Sequence, residues 1–205
     1  LVKNPDSYFP AGNVDTYIIR NIADSATQQM ELEGGDLDFA LDLTADQTAL
    51  LEGNENIKLV SFDTMDIFFL GLNASEEYGK ELANPTVREA IRYAIDYPGL
   101  CALAGNGAPP PAGIIPKGFL GYAGETTITR DVEKAKALLT EAGYPDGITF
   151  TMGVIPDMAP DGVSFMTLAQ KVQADLAEAG ITVNIEPQEV AVYLEGYRDG
   201  KQQSV

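Results

Sequence analysis

The chain has 205 residues, 45% of them hydrophobic and 21% charged, and its 31 acidic against 13 basic residues give a formal net charge of −18. A surface this acidic repels phosphate backbones, which argues against nucleic acid as a partner, and no apolar run approaches the roughly 18 residues of a membrane span. With no histidine and a single cysteine, the chain cannot supply Ser-His or Cys-His catalytic pairs, His-ligated zinc or an internal disulfide.

The chain opens on LVKNPDSYF, without an initiator Met, and reads as a mature, processed or excised piece. The lack of a leader therefore does not place its compartment. VDTYIIRNI (14–22), rich in β-branched and aromatic residues, predicts a strand. SATQQMELEGG predicts a helix capped by Ser25, with Gln28 reaching back and Gly34-Gly35 stopping it. DLDFALDL (36–43) alternates Leu37, Phe39, Leu41 and Leu43 against Asp38, Ala40 and Asp42, the pattern of a strand with one buried face. TADQTALLEG repeats the helix signal with Thr44 as cap, Gln47 at the third position and Gly53 at the end. IKLVSF (57–62) and DIFFLGL (66–72) predict two more strands, so that 14–72 reads β-α-β-α-β-β.

LANPTVREAIRYAIDYPGL (82–100) predicts a helix capped by Asn84 with Pro85 at its first position. Val87, Ala90, Ile91, Ala94 and Ile95 share one face, and Arg88 and Arg92 lie a turn apart on another, near Glu89 and Asp96. Pro98 starts a second short helix through Leu103. Residues 105–125, rich in Gly and Pro, have no period and read as a long surface loop. Beyond it come a helix capped by Asp131 and stopped at Gly143, a strand in ITFTMGVI, a long helix in DGVSFMTLAQKVQADLAEAG, a strand in ITVNIEP and a last helix in EVAVYLEGYRDGK. An α/β unit places another strand after that helix, where the chain reads QQSV.

No catalytic set emerges. The acidic pairs Glu31/Glu33, Asp36/Asp38 and Asp157/Asp161 have the composition of a glycosidase site but no spacing that fixes a carboxylate separation, and with so many acids they read as solvated surface. GGDLD and PDMAPDG do not match a calcium loop, and GNGAPPPAG lacks the Gly-Lys-Ser/Thr ending of a phosphate loop. Cys101, in GLCALAG, fits a small buried side chain. Among the aromatics, Phe119 and Tyr122 beside the Gly/Pro loop are the best candidates for a ligand groove. The residues favour binding over chemistry, with no metal or cofactor implied.

The ordered segments NPDSYF, VDTYIIRNIADSATQQMELEGGDLDFA, LGLNAS, NPTVREAIRYAIDYPGL, GAPPPAGIIPKGFLGY, DVEKAKALLTEAGYPDG and QADLAEAGITVNIE together resemble the extracellular solute-binding proteins of ABC importers, in the oligopeptide/dipeptide/nickel class (family 5). The resemblance implies an α/β, periplasmic-binding-protein-like fold of the two-lobed, Venus-flytrap kind. Residues 1–67 would be the end of the first lobe (β-α-β-α-β), 68–73 a crossover or hinge strand, and 74–205 most of the C-terminal lobe. The rest of the first lobe would lie upstream of Leu1, and a further strand and a Trp-x-x-Asp segment downstream of Val205.

The function implied is non-enzymatic. The protein would bind a solute, an oligopeptide first, in the periplasm or outside the cell, and hand it to the permease subunits of an ABC transporter. It would be tethered to the membrane, if at all, through an N-terminal anchor. Arg198 matches a position where oligopeptide binders hold an Arg near the ligand's C-terminal end, and Asn73 ends the crossover strand. SFMTL (164–168) lacks the Arg that some dipeptide-type members carry there, which argues against simple dipeptides. Nickel complexes, opines and oligosaccharides stay open as solutes. The competing classes are a carboxylate-pair glycoside hydrolase and a sensory binding module of the same fold.

Overall fold

Helix starts follow the capping chemistry of the sequence closely. In the computed structural model, which describes all residues except 11, 23, 42, 61–64, 105–109, 111, 125–127 and the Asp161 side chain, eight α-helices and two strands form. The first two helices are α1 (Ser25–Gly34) and α2 (Ala45–Leu51). Thr44 and Gln47 close a reciprocal capping box at the start of α2, as expected. The cap of α1 is Asp24 rather than Ser25: its carboxylate accepts from the Thr27 N–H at 2.8 Å, while Gln28 donates to the Ile22 carbonyl instead of reaching back. A carboxylate is the stronger acceptor at a helix N-terminus, so it takes the position.

The strands expected at 14–22, 36–43, 57–62 and 66–72 do not form among the described residues; Asp42, Ser61 and Phe62 lie outside them. A β ladder needs a partner, and only isolated bridges occur, Val2 with Thr16 and Leu72 with Ser204. The apolar side chains of the first stretch consequently stand in solvent, Ile18 at 80% and Phe39 at 73% exposure.

From residue 75 on, the structure follows the sequence. A short helix α3 (Glu76–Gly79) and a 3₁₀ turn (Lys80–Ala83) lead into α4 (Pro85–Ala94), α5 (Tyr97–Leu103) and α6 (Val132–Glu141). Asn84 caps α4 with Pro85 at its first position, and Val87, Ala90, Ile91 and Ala94 are buried, as their 3.6-residue spacing requires. Asp131 caps α6, and Gly143 takes the left-handed turn beyond it, φ 92°. The described parts of 105–125 are turns and bends.

Strand β1 (Ile148–Val154) and strand β2 (Ile181–Pro187) pair in parallel, Ile148 with Ile181 through Val154 with Pro187. Between them runs α7 (Phe165–Glu178), and α8 (Val190–Arg198) follows β2. The long helix starts later than its pattern suggests, because Ser164 caps it and Pro160–Gly162 form a separate 3₁₀ turn. One apolar core joins α4, α6 and α7 to the strands through Leu82, Ile91, Leu139, Phe150, Leu176 and Ile181. At about 25 cal/mol per Å² of apolar surface, each such side chain contributes roughly 1.5–3 kcal/mol.

Where a strand is expected after α8, residues 203–205 make isolated bridges instead. The Gly153 N–H donates to Ser204 O at 3.0 Å, and the Val205 and Gly71 main chains exchange two bonds of 2.7 and 3.0 Å. Residues 203–205 thus lie between β1, which they follow in parallel, and the antiparallel stretch 71–73.

Candidate binding site at the crossover

Asn73 is where the chain passes from its exposed first third into the core-bearing part. Its amide nitrogen donates to Gly200 O at 2.8 Å and Gln202 O at 2.7 Å, its side-chain oxygen accepts from the Ser75 N–H at 3.0 Å, and its main-chain N–H donates to Gln203 O at 3.0 Å. The side chain is committed to holding two segments more than 120 residues apart. The close packing also explains Gly79, where any Cβ would strike the Asn73 carbonyl.

Arg198 ends α8, two residues before Gly200, so Asn73 brings the two predicted residues into one neighbourhood. Arg198 is exposed, and no hydrogen bond or ion pair engages its guanidinium among the described residues. Most other cations are spoken for. Lys3, Arg20, Arg92, Lys136 and Lys201 pair with single acids, and Arg88 donates to the Leu82 and Ala83 carbonyls. Arg92 pairs with Glu89 at 2.7 Å, not with Asp96. Asp96 instead caps α5 and accepts from Lys171 at 3.0 Å.

On α8, Tyr193 and Tyr197 lie one turn apart beside Arg198. Partial burial, and then the neighbouring Tyr197 phenol, push the Tyr193 hydroxyl above its usual range, so it stays a neutral donor at physiological pH. The i,i+4 spacing of these tyrosines next to an arginine was visible in the sequence but carried no cofactor-like pattern. Nothing local in the sequence marks Gln202 and Gln203 as functional. Gln202 donates to Gln188 and to Tyr193 O, and Gln203 accepts from the Thr151 N–H and donates towards Gly79 and Glu81.

Phe119 and Tyr122 sit on the loop formed by the described residues 112–124, Phe119 about half exposed and Tyr122 half-buried, with the Tyr122 N–H donating to Phe119 O at 3.2 Å. No hydrogen bond, ion pair or ring contact ties either to Asn73 or Arg198 among the described residues. A shallow cavity of about 250 Å³ lined by Glu81, Tyr144, Asp146 and Gly180 holds none of the four. Of the acidic pairs, Glu31 is bound to Arg20, and Glu33, Asp36, Asp38 and Asp157 are exposed. Among the described residues, no helix is long and apolar enough to cross a membrane. Cys101 is half-buried, and burial raises its thiol pKa, which leaves it a poor nucleophile.

The model of the bacterial extracellular solute-binding proteins, family 5 (middle), matches residues 1–205. The chain belongs to that family. Family 5 members are solute-binding proteins rather than enzymes. The chain is 32% identical over 187 residues to the glutathione-binding protein GsiB of Escherichia coli O1:K1, which covers 90% of this chain but 35% of that protein. It resembles the periplasmic binding protein DppA of Helicobacter pylori, solved with the peptide STSA, with a TM-score of 0.77 and 28% identity over 99% of this chain and 38% of that one. It also resembles AgaA of A. tumefaciens R10, solved with agropinic acid, with a TM-score of 0.67 and 27% identity over 89% and 36%. The fold is therefore the α/β fold of periplasmic binding proteins, and the chain spans about a third of the length of the relatives it matches.

Proposed function

We propose that the family 5 chain binds an oligopeptide outside the cytoplasmic membrane and delivers it to the permease subunits of an ABC transporter. Residues 1–67 are the end of the first lobe, 68–73 the crossover, and 74–205 most of the C-terminal lobe. The observation that carries this reading is the pairing of 71–73 with 203–205, which anchors the end of the crossover to the sheet of the core-bearing part. Arg198, unpaired among the described residues, stands next to it as the cation for the ligand's carboxylate, with Tyr193, Phe119 and Tyr122 as aromatic neighbours of the peptide. Asn73 acts on the ligand indirectly, by fixing the turn that carries Arg198. Relatives named for glutathione and for a bound peptide both favour a peptide-like solute.

Native mass spectrometry of the purified protein tests the reading, since chain mass and retained solute are read together. The expected result is an intact peptide carried by the protein. Replacement of Arg198 by Ala lowers affinity for peptides with a free C-terminus by about tenfold or more, as loss of a charge-assisted bond of roughly 1.5–3 kcal/mol requires, and leaves C-terminally amidated peptides unaffected. Turnover of the bound solute, or equal loss for free and amidated peptides, would overturn it.

A further inference from the structure

Gln202 occupies its place at a cost to stability. It lies just beyond α8, in the turn that Asn73 holds through the carbonyls of Gly200 and Gln202. Its side-chain nitrogen donates to Tyr193 O at 2.9 Å and to the Gln188 side-chain oxygen at 3.1 Å. Its side-chain oxygen is buried and has no donor among the described residues. A buried acceptor left unpaired costs free energy, so its presence needs a reason.

Two glycines make room for that amide. Gly153 lies inside β1 and Gly196 inside α8, and neither takes the left-handed backbone that calls for glycine. Glycine weakens the interiors of strands and helices, so at both positions it serves space rather than conformation. A Cβ on Gly153 would collide with the Gln202 side-chain oxygen. A Cβ on Gly196 would stand 2.9 Å from Gln202 Cγ and 3.0 Å from its Nε2. The amide is thus seated between bare backbone of the strand and bare backbone of the helix. An unpaired acceptor and two interior glycines each lower stability, and all converge on one side chain, as they do around a group kept for its position.

We infer that Gln202 is the positioning residue for Arg198. Seated between Gly153 and Gly196, its amide sets how α8 lies on β1, and so where the guanidinium meets the ligand's carboxylate. Arg198 follows Gly196 by two residues and Tyr193 by five, and both are α8 positions that the amide touches. Without the amide, Asn73 still holds the turn, but the helix loses its bond to that turn and its spacer against the strand. A displacement of about 1 Å is enough to spoil a site whose bonds have narrow ranges of length and angle. The inference rests on the peptide-binding reading above.

A double-mutant cycle on the full chain tests it. The amide is the end of a flexible side chain, so a Cβ at Gly153 displaces it rather than the strand. Gly153→Ala and Gln202→Met therefore remove the same interaction. Affinity for the peptide Ser-Thr-Ser-Ala is measured with a free and with an amidated C-terminus, beside hydrogen exchange of 190–198. Each single variant is expected to bind the free peptide about tenfold more weakly, and the double variant also about tenfold rather than about a hundredfold. The amidated peptide binds all of them as it binds wild type. Exchange across 190–198 quickens about tenfold in all three variants, with α4 and α7 unchanged. Losses that multiply in the double variant, equal losses for free and amidated peptide, or unchanged exchange in α8 overturn the inference. If wild type retains neither peptide, the transport reading falls, while the exchange maps still decide whether Gly153 and Gln202 hold α8 as one unit.

Discussion

At the scale of single residues, the polar side chains most committed in this chain are those that join distant segments. Asn73 spends both amide protons on carbonyls of the 200–202 turn. Asn73→Ala is expected to lower unfolding free energy by about 2 kcal/mol, two neutral hydrogen bonds at about 1 kcal/mol each. Asn73→Asp should cost more, because a carboxylate cannot donate to those carbonyls and repels them; equal effects in urea titration would argue against the donor role. Asp175 is 4% exposed and receives Lys171 at 2.6 Å, the Asp96 N–H at 3.1 Å and Arg130 at 3.7 Å. Asp175→Asn leaves two partly buried cations without their shared counter-charge, an expected loss of about 2–4 kcal/mol.

The same cluster sets a pH dependence. The Lys171 ammonium and then the Gly99 N–H hold Asp96 below its ordinary carboxylate range, so its contribution is complete above the unfolded pKa near 4 and fades as pH falls through the lower folded value. For Lys171, burial pulls the pKa down, but its bonds to Asp175 and Asp96 outweigh this and raise it. That contribution is complete below the unfolded pKa near 10.4 and is lost only as pH rises past it. Denaturation midpoints measured from pH 7 downwards should therefore fall below about pH 4, and Asp96→Asn should flatten that fall.

At the scale of elements, local chemistry decides where helices start, and partners decide whether strands exist. Asn84, Thr44, Asp131 and Ser164 all cap helices through their own side chains. Asn84→Ala should cost about 1 kcal/mol, read as a lower thermal midpoint with no change of fold by circular dichroism. Strand β1 is buried along nearly its whole length because β2 lies on one edge and 203–205 on the other, whereas β2 alternates as an edge strand should. VDTYIIRNI and DLDFALDL have strand composition too, yet among the described residues the first makes only the Val2–Thr16 bridge and the second pairs with nothing. Periodicity reports which face of a segment is apolar, not whether a neighbour will come to cover it.

At the scale of the whole molecule, the excess of acidic residues spreads over a chain whose larger part has one core and whose first third has little. Like charges at this density repel, so the thermal midpoint should rise from low salt to about 0.5 M NaCl as screening shortens their reach. A fall with salt would mean that the ion pairs outweigh the repulsion.

The sequence by itself determined the main helices and the caps Thr44, Asn84 and Asp131, though not that of α1, together with the β1–α7–β2 unit and the family, because capping, apolar spacing and the order of segments are all local or linear properties. It also pointed to Arg198 and Asn73, though only through the resemblance. The tertiary structure decided that Asn73 holds the turn that follows Arg198, that Gln202 and Gln203 knit α8 to β1, that residues 203–205 bridge to β1, and that bare backbone at Gly162 meets Leu43. Most of those facts join residues fifty to more than a hundred positions apart, or depend on a partner strand being present. No window along the chain carries that information, because it arises only when the segments are packed against one another.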